Sequence, residues 1–191
     1  LSVRDLPCPS IAALHGAAIG AGFAVALACD LRVAARDAKL GLNFTQLGIH
    51  PGMGSSWTLP RIVGPAHAAD LLLTGRSVDG AEAERMGLVN RCVERDQVVP
   101  TALEMAHAIA RCAPIAVRGT KQALHRSMPA TLESQLEFEA EQQAMARTQA
   151  DRVARARSMD DIVASARARA SADNGAADLE DEACFGFGQP E

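Results

Sequence analysis

Apolar residues fall along this chain in short runs divided by turn-forming residues. Pro9 to Leu14 is one such run, closed by His15-Gly16, and predicts a strand. Gly20-Ala21-Gly22 predicts a turn, and the residues to Cys29 a helix beginning at about Gly22. Leu31 to Ala35 and Lys39 to Leu42 predict two more strands, separated by polar Arg36-Asp37. Gln46 to Gly54 is rich in Gly and Pro and predicts a loop, after which Ser55 or Ser56 caps a helix to about Val63. Gly64-Pro65 opens another helix through Leu73, ended by Thr74-Gly75. Asp79 with Glu82 three residues on is a capping-box pattern for a helix to Met86, and Gly87 stands where a left-handed residue suits its end. Leu88 to Val93 predicts a strand and Val98 to Cys112 an amphipathic helix. This alternation argues an α/β fold.

From Ala113-Pro114 the strand pattern stops. Two helices are predicted, Ile115 to about Arg126 and Thr131 to about Gln149. The second sets Glu133, Glu137 and Glu141 outward and Leu132, Leu136, Phe138 and Met145 on a packed face. After Asp151 an Arg/Ala-rich stretch leads into an acidic tail, where a frayed helix and then disorder are expected. The chain thus reads as an α/β core over 1–112, a helical segment over 113–150 and a tail over 151–191.

With 191 residues, 48% apolar and 22% charged, the chain can bury one core without metals or disulfides. The net charge of -4 gives no field that would attract nucleic acid or an anionic membrane. Absent Tyr and a single Trp also argue against a base-stacking surface. The five cysteines show neither C-x-x-C nor metal-ligand spacing, so no metal is expected and a reducing, cytoplasmic setting is. The longest apolar stretch, Ala17 to Ala28, is too short to span a membrane, and no signal peptide precedes it. The first residue is Leu1 and the opening segment already reads as a strand entering a site, which suggests that an N-terminal portion lies outside this sequence.

The stretch from Ile11 to Asp30 carries the candidate chemistry. Small residues where a strand turns into a helix let a ligand approach the backbone, and N–H groups backed by the helix dipole can meet a developing anion. Two other readings stand beside this one. The glycines could serve close helix packing alone. They could also form a dinucleotide fingerprint, although its third glycine would fall on Val25 and no suitable acidic residue closes a following strand.

Ile11-Ala-Ala-Leu-His-Gly-Ala-Ala-Ile-Gly-Ala-Gly, running on to Cys29-Asp30, resembles the enoyl-CoA hydratase/isomerase (crotonase) superfamily. So do Ala38-Lys-Leu-Gly-Leu-Asn-Phe-Thr-Gln-Leu-Gly-Ile-His-Pro-Gly-Met-Gly54, Leu59-Pro-Arg-Ile-Val-Gly64, Leu73-Thr-Gly-Arg76 and Ala81 to Asn90. The resemblance implies a crotonase-type spiral of ββα units followed by a helical oligomerisation segment. It further implies an acyl-CoA thioester as partner, with CoA part of the substrate and no separate cofactor, and a homo-oligomer, trimer or hexamer. By the same resemblance the Ala21 N–H is one oxyanion donor, flanked by Gly20 and Gly22, and the second donor belongs to an earlier A-G-x-D segment that this sequence does not contain. Phe44, Leu47, His50, Pro51 and Gly52 are expected along the acyl pocket.

The departures bear on mechanism. Hydratases of the family carry two carboxylates, a base for water and an acid for the α-carbon. The matching positions here are Ala24 and Phe44, and neither can move a proton. His50 is an alternative base, because imidazole titrates near neutral pH; the competing reading is a loop histidine that shapes the pocket. His15, His67, His107 and His125 read as structural or solvent-facing. Arg118 and Lys121 could meet CoA phosphates or form a solvated face. The family's A-F-x-x-K/R ending has no counterpart in the tail.

Overall fold

Ile11–Leu14 (β1) and Leu31–Ala35 (β3) run parallel, Ile11 opposite Leu31, and β3 continues parallel to Arg91–Val93 (β6), giving a sheet of order β1-β3-β6. A second sheet is built from Ala18–Ile19 (β2), Leu40–Gly41 (β4) and Ser77–Val78 (β5), in which β2 and β4 are parallel and β5 is antiparallel. The first four strands therefore alternate between sheets, and a helix follows each pair: β1, β2 and then α1 (Ala21–Ala28); β3, β4 and then α2 (Ser55–Thr74). This computed structural model describes residues 2–154.

The remaining helices are α3 (Gly80–Arg85), α4 (Val98–Ala110), α5 (Pro114–Ser127) and α6 (Leu132–Ala154). Among the described residues no strand follows β6. The chain divides into two compact units, the first ending at Gln142 and the second beginning at Gln143, and both sheets lie in the first. The tail expected to be disordered lies outside the described residues from 155 onward.

The predicted α/β order holds because each element has a local reason. In α1 the apolar positions bury Phe23, Ala24, Ala26 and Leu27 against the strands. α2 is two helices fused across Gly64, whose φ of 76 and ψ of 167 are non-helical, so the predicted break at Gly64-Pro65 is a kink. Its start differs from expectation: Gly54, at φ 75, occupies the N-cap, and the Ser55 hydroxyl donates to the Gly52 carbonyl at 2.7 Å instead of capping. At α3 the Asp79 carboxylate accepts from the Glu82 N–H at 2.7 Å, as the capping pattern predicts, while the Glu82 carboxylate pairs with Arg76 at 2.8 Å. Gly87 has φ 75.

Two elements escaped the pattern. β2 and β5 have two residues each, too few for a period, and exist only because β4 lies between them. The strand expected from Leu88 is shorter, because the Leu88 N–H donates to the Ala83 carbonyl and the chain joins the sheet only at Arg91. Leu132 and Leu136, placed on a packed face by their spacing, are exposed in this chain, and Phe138 lies under the Arg126 guanidinium.

Gly80 fits because it lacks a side chain: a Cβ there would stand 2.1 Å from the Ala35 carbonyl oxygen. Arg32 on β3 is buried. It donates through Nε to the Leu88 carbonyl at 2.8 Å and through a terminal nitrogen to the Cys29 carbonyl at 2.7 Å, while its own N–H donates to the Asn90 side chain at 2.9 Å. These bonds tie the end of α1 to the approach to β6. A buried charge is tolerable where carbonyls surround it in this way.

Candidate functional site

The turn from β2 into α1 is set by Gly20. Its N–H donates to the Gly41 carbonyl at 2.8 Å, its φ and ψ are 59 and -122, and its carbonyl accepts from the Ala24 N–H at 3.0 Å, the first bond of the helix. Such a φ with such a ψ is open to glycine and few others. A Cβ on Gly20 would lie 3.4 Å from the Asn43 side-chain oxygen, so the residues after β4 begin beside the start of α1.

Because α1 starts at Ala21, its first N–H groups have no carbonyl one turn earlier to receive them. Ala21 and Gly22 are exposed, and among the described residues no backbone acceptor meets the Ala21 N–H. The helix begins one residue earlier than expected, which still leaves that N–H unpaired within its own element. Open space surrounds the position that a Gly22 side chain would take. The result is an accessible donor at the positive end of a helix, suited to an oxygen that gains charge.

The loop after β4 holds the other expected residues. Phe44 is half-buried and packs against the core, and its carbonyl accepts from the Leu47 and Ile49 N–H groups at 3.0 and 3.1 Å, closing a short helical turn over Thr45–Leu47. Leu47 projects outward at 65% exposure. His50 is exposed, and its Nδ1 lies 2.7 Å from the Pro51 carbonyl. A carbonyl only accepts, so Nδ1 donates there and Nε2 of the neutral ring keeps its lone pair. Pro51 and Gly52 are half-buried, and Met53 takes φ 54 in the same turn. Ala24 is buried in the core at 4% exposure.

Neither of two cavities in the chain is lined by these residues. One of about 600 Å³ lies between β1, α4 and α5, and one of about 510 Å³ is lined by Arg4, Lys121, His125 and Phe138 among others.

Lys121 departs from both readings offered for it. It is 7% exposed, and its ammonium donates to the Asp30 carboxylate at 2.8 Å and to the Cys8 carbonyl at 3.0 Å. Asp30 also accepts from the Ser10 N–H at 2.7 Å and the Ser10 hydroxyl at 2.9 Å, and His125 Nε2 lies 3.3 Å from its second oxygen. Burial pushes the Asp30 carboxyl up, but the Lys121 bond, the two Ser10 donors and the Lys121 charge outweigh it, so the group sits below the usual carboxylate range. With two of its three donors engaged, Lys121 holds the segment before β1 and the end of α1 to α5. Asp30 was visible only as the end of a helix, and no spacing signal connects it to a lysine 91 residues away. Arg118, by contrast, is exposed.

A family model described as enoyl-CoA hydratase/isomerase matches residues 1–161. The short-chain-enoyl-CoA hydratase of Clostridium acetobutylicum is 41% identical over 133 residues, covering 70% of this chain and 51% of that protein. The mitochondrial enoyl-CoA hydratase domain-containing protein 2 of Bos taurus is 43% identical over 141 residues, covering 72% and 48%. The chain thus spans about half the length of the curated relatives it matches. Among solved structures, the enoyl-CoA hydratase of Bacillus anthracis superposes with a TM-score of 0.72 at 41% identity, over 74% of this chain and 55% of that one. A Thermobifida fusca structure in complex with CoA superposes with a TM-score of 0.75 at 31% identity, over 78% and 58%. Matching sequence along most of the chain, and matching folds over 74% and 78% of it, place this protein in the enoyl-CoA hydratase/isomerase family, with its α/β crotonase-type fold.

Proposed function

We propose that this chain serves a protein that binds an acyl-CoA thioester and stabilises its enolate, without being a standard hydratase. The observation that carries this reading is the Ala21 N–H, exposed and unpaired at the start of α1 and aimed by the Gly20 turn. Loss of an α-proton leaves an electron pair that delocalises into the thioester carbonyl. The charge then resides on oxygen, where an N–H at about 3 Å lowers its energy. The bare surroundings of Gly22 leave room for that approach. The second donor expected from the family resemblance belongs to a segment not in this sequence.

The proton steps separate this reading from ordinary hydration. Ala24 is apolar and buried, and Phe44 is apolar and packed on the core, so neither carries a proton. His50 Nε2 is the remaining candidate base in the loop. A second reading, an acyl-CoA-binding member of the family without catalysis, is supported by the same two replacements. Self-association, most simply as a trimer and otherwise a hexamer, is supported by the uncovered apolar residues Leu124 on α5, Met128 just after it, and Leu132 and Leu136 on α6. A cytoplasmic setting is supported by the free Cys8, Cys29, Cys92 and Cys112, and no helix among the described residues is long and apolar enough to cross a membrane.

The test uses the protein that carries this chain, with crotonyl-CoA for hydration and a saturated acyl-CoA in deuterated water for α-proton exchange. Hydration is expected to fall by two to four powers of ten, roughly the contribution of acid–base groups, while exchange persists. Exchange that vanishes with His50→Ala assigns the base. Bound acyl-CoA without exchange supports the binding reading, and robust hydration refutes the proposal.

A further inference from the structure

We propose, resting on the acyl-CoA reading above and narrowing it, that the Asn43 side-chain amide is a specificity-determining contact that selects 3-oxoacyl-CoA thioesters, those with a second carbonyl on the β-carbon. β2 pairs with β4 with Ile19 opposite Gly41, and the bond from the Gly20 N–H to the Gly41 carbonyl carries that pairing one step further. Beyond it the two segments part. Gly20 gives its carbonyl to the first bond of α1, and the other segment turns at Asn43. Asn43 is thereby left against the same turn that exposes the Ala21 N–H, its side-chain oxygen 3.4 Å from the place that a Cβ on Gly20 would take.

The other polar side chains between Asn43 and Ser55 are engaged by the fold. Thr45 donates to the Leu72 carbonyl at 3.1 Å, Gln46 to the Thr74 carbonyl at 3.0 Å and Ser55 to the Gly52 carbonyl at 2.7 Å, while His50 Nδ1 is held at the Pro51 carbonyl. The Asn43 amide has no hydrogen-bond partner among the described residues, although it is half-buried and lies in the chain between buried Leu42 and half-buried Phe44. An amide so placed offers two N–H donors and a carbonyl oxygen to what occupies the site.

With the thioester oxygen on the Ala21 N–H, a second donor across the turn suits an oxygen a few bonds along the acyl chain. A hydrocarbon chain carries none there and would set the amide against methylenes, leaving its donors unmet. A 3-oxoacyl chain supplies the oxygen. Its α C–H bond lies between two carbonyls; when that bond breaks, the proton passes to a base and the electron pair spreads over both oxygens, one met by the Ala21 N–H and the other by the Asn43 NH2. The second carbonyl also makes the proton acidic enough to leave without a carboxylate base, which suits a site with Ala24 and Phe44 at the two carboxylate positions.

Calorimetry on the protein that carries this chain tests the assignment with acetoacetyl-CoA and butyryl-CoA, which differ only in the β-carbonyl. The parent should bind acetoacetyl-CoA about tenfold more tightly, the upper contribution of one neutral hydrogen bond, and the bound ligand should show the near-ultraviolet band of its enolate. Asn43→Ala should bring the affinity ratio to within about twofold of one and weaken that band. Asn43→Asp keeps the shape but has no side-chain N–H to give, so it should lose the preference as well; a melting curve like the parent's shows that either variant is folded. 3-Hydroxybutyryl-CoA, whose β-oxygen accepts a hydrogen bond but adds no carbonyl, should fall between the other two ligands.

Equal affinity for acetoacetyl-CoA and butyryl-CoA overturns the role of Asn43 and leaves the acyl-CoA reading standing, as does a preference that survives both variants. 3-Hydroxybutyryl-CoA bound as tightly as acetoacetyl-CoA overturns the 3-oxo class. Binding of none of the three overturns the acyl-CoA reading together with it.

Discussion

Lys121→Met removes one charge from a buried pair while keeping most of the side chain's volume. The ammonium it deletes is 7% exposed and stands 2.8 Å from an Asp30 carboxylate that is itself 18% exposed. Stranding one partner of a fully buried pair costs about 3–5 kcal/mol. Asp30 keeps both Ser10 donors and some contact with water, so the cost falls at or just below the bottom of that range, about 2–3 kcal/mol. Asp30→Asn leaves the ammonium with the Cys8 carbonyl and should cost a similar amount, about 3 kcal/mol.

The double variant strands neither charge. It should lose only about 1–2 kcal/mol, a departure from additivity of about 3 kcal/mol or somewhat more. Urea unfolding followed by circular dichroism reads this directly, since a loss of 2–3 kcal/mol moves the midpoint by more than about 1 M. The acid limb supplies a second check. The folded-state carboxyl of Asp30 lies below its unfolded value, so its stabilisation is present above the unfolded pKa and is lost as pH falls through the folded one. In Lys121→Met that depression weakens, and the deficit against the parent protein should shrink as the pH falls through the range in which Asp30 protonates. Additive single variants, or a deficit as large in acid as at neutrality, would refute the view of this pair as a coupled buried clasp.

Gly80→Ala should cost about 3 kcal/mol or more, because its Cβ would press on the Ala35 carbonyl; thermal unfolding checks this, and a loss under about 1 kcal/mol would mean that β3 yields easily. For self-association, light scattering on the protein that carries this chain should find a trimer or its multiple, and charges at Leu132 and Leu136 should shift it toward smaller species. A monodisperse monomer at high concentration counts against that reading.

The fold was legible in the sequence wherever a local cause sufficed. Glycines at Gly20, Gly64 and Gly87 take backbone angles that other residues resist, Asp79 caps the helix it precedes, and apolar spacing buries one side of α1. The oxyanion candidate belongs to the same class, since a glycine turn followed by a helix leaves an N–H free by geometry alone. Replacement of the two carboxylate positions was equally visible, as it is a matter of residue identity.

What required the tertiary structure is every feature whose parts lie far apart in the chain. β2 and β5 have no period to display and are strands only because β4 runs between them. Lys121 read as solvent or phosphate contact because spacing reports on neighbours along a helix, whereas its partner is Asp30, brought to it by the packing of α5. Arg32 stands in an apolar strand where nothing in the spacing shows how its charge is met, and only the carbonyls of Leu88 and Cys29 explain its burial. Sequence periodicity determines which face of an element avoids water, and the packed fold alone determines which groups that face meets.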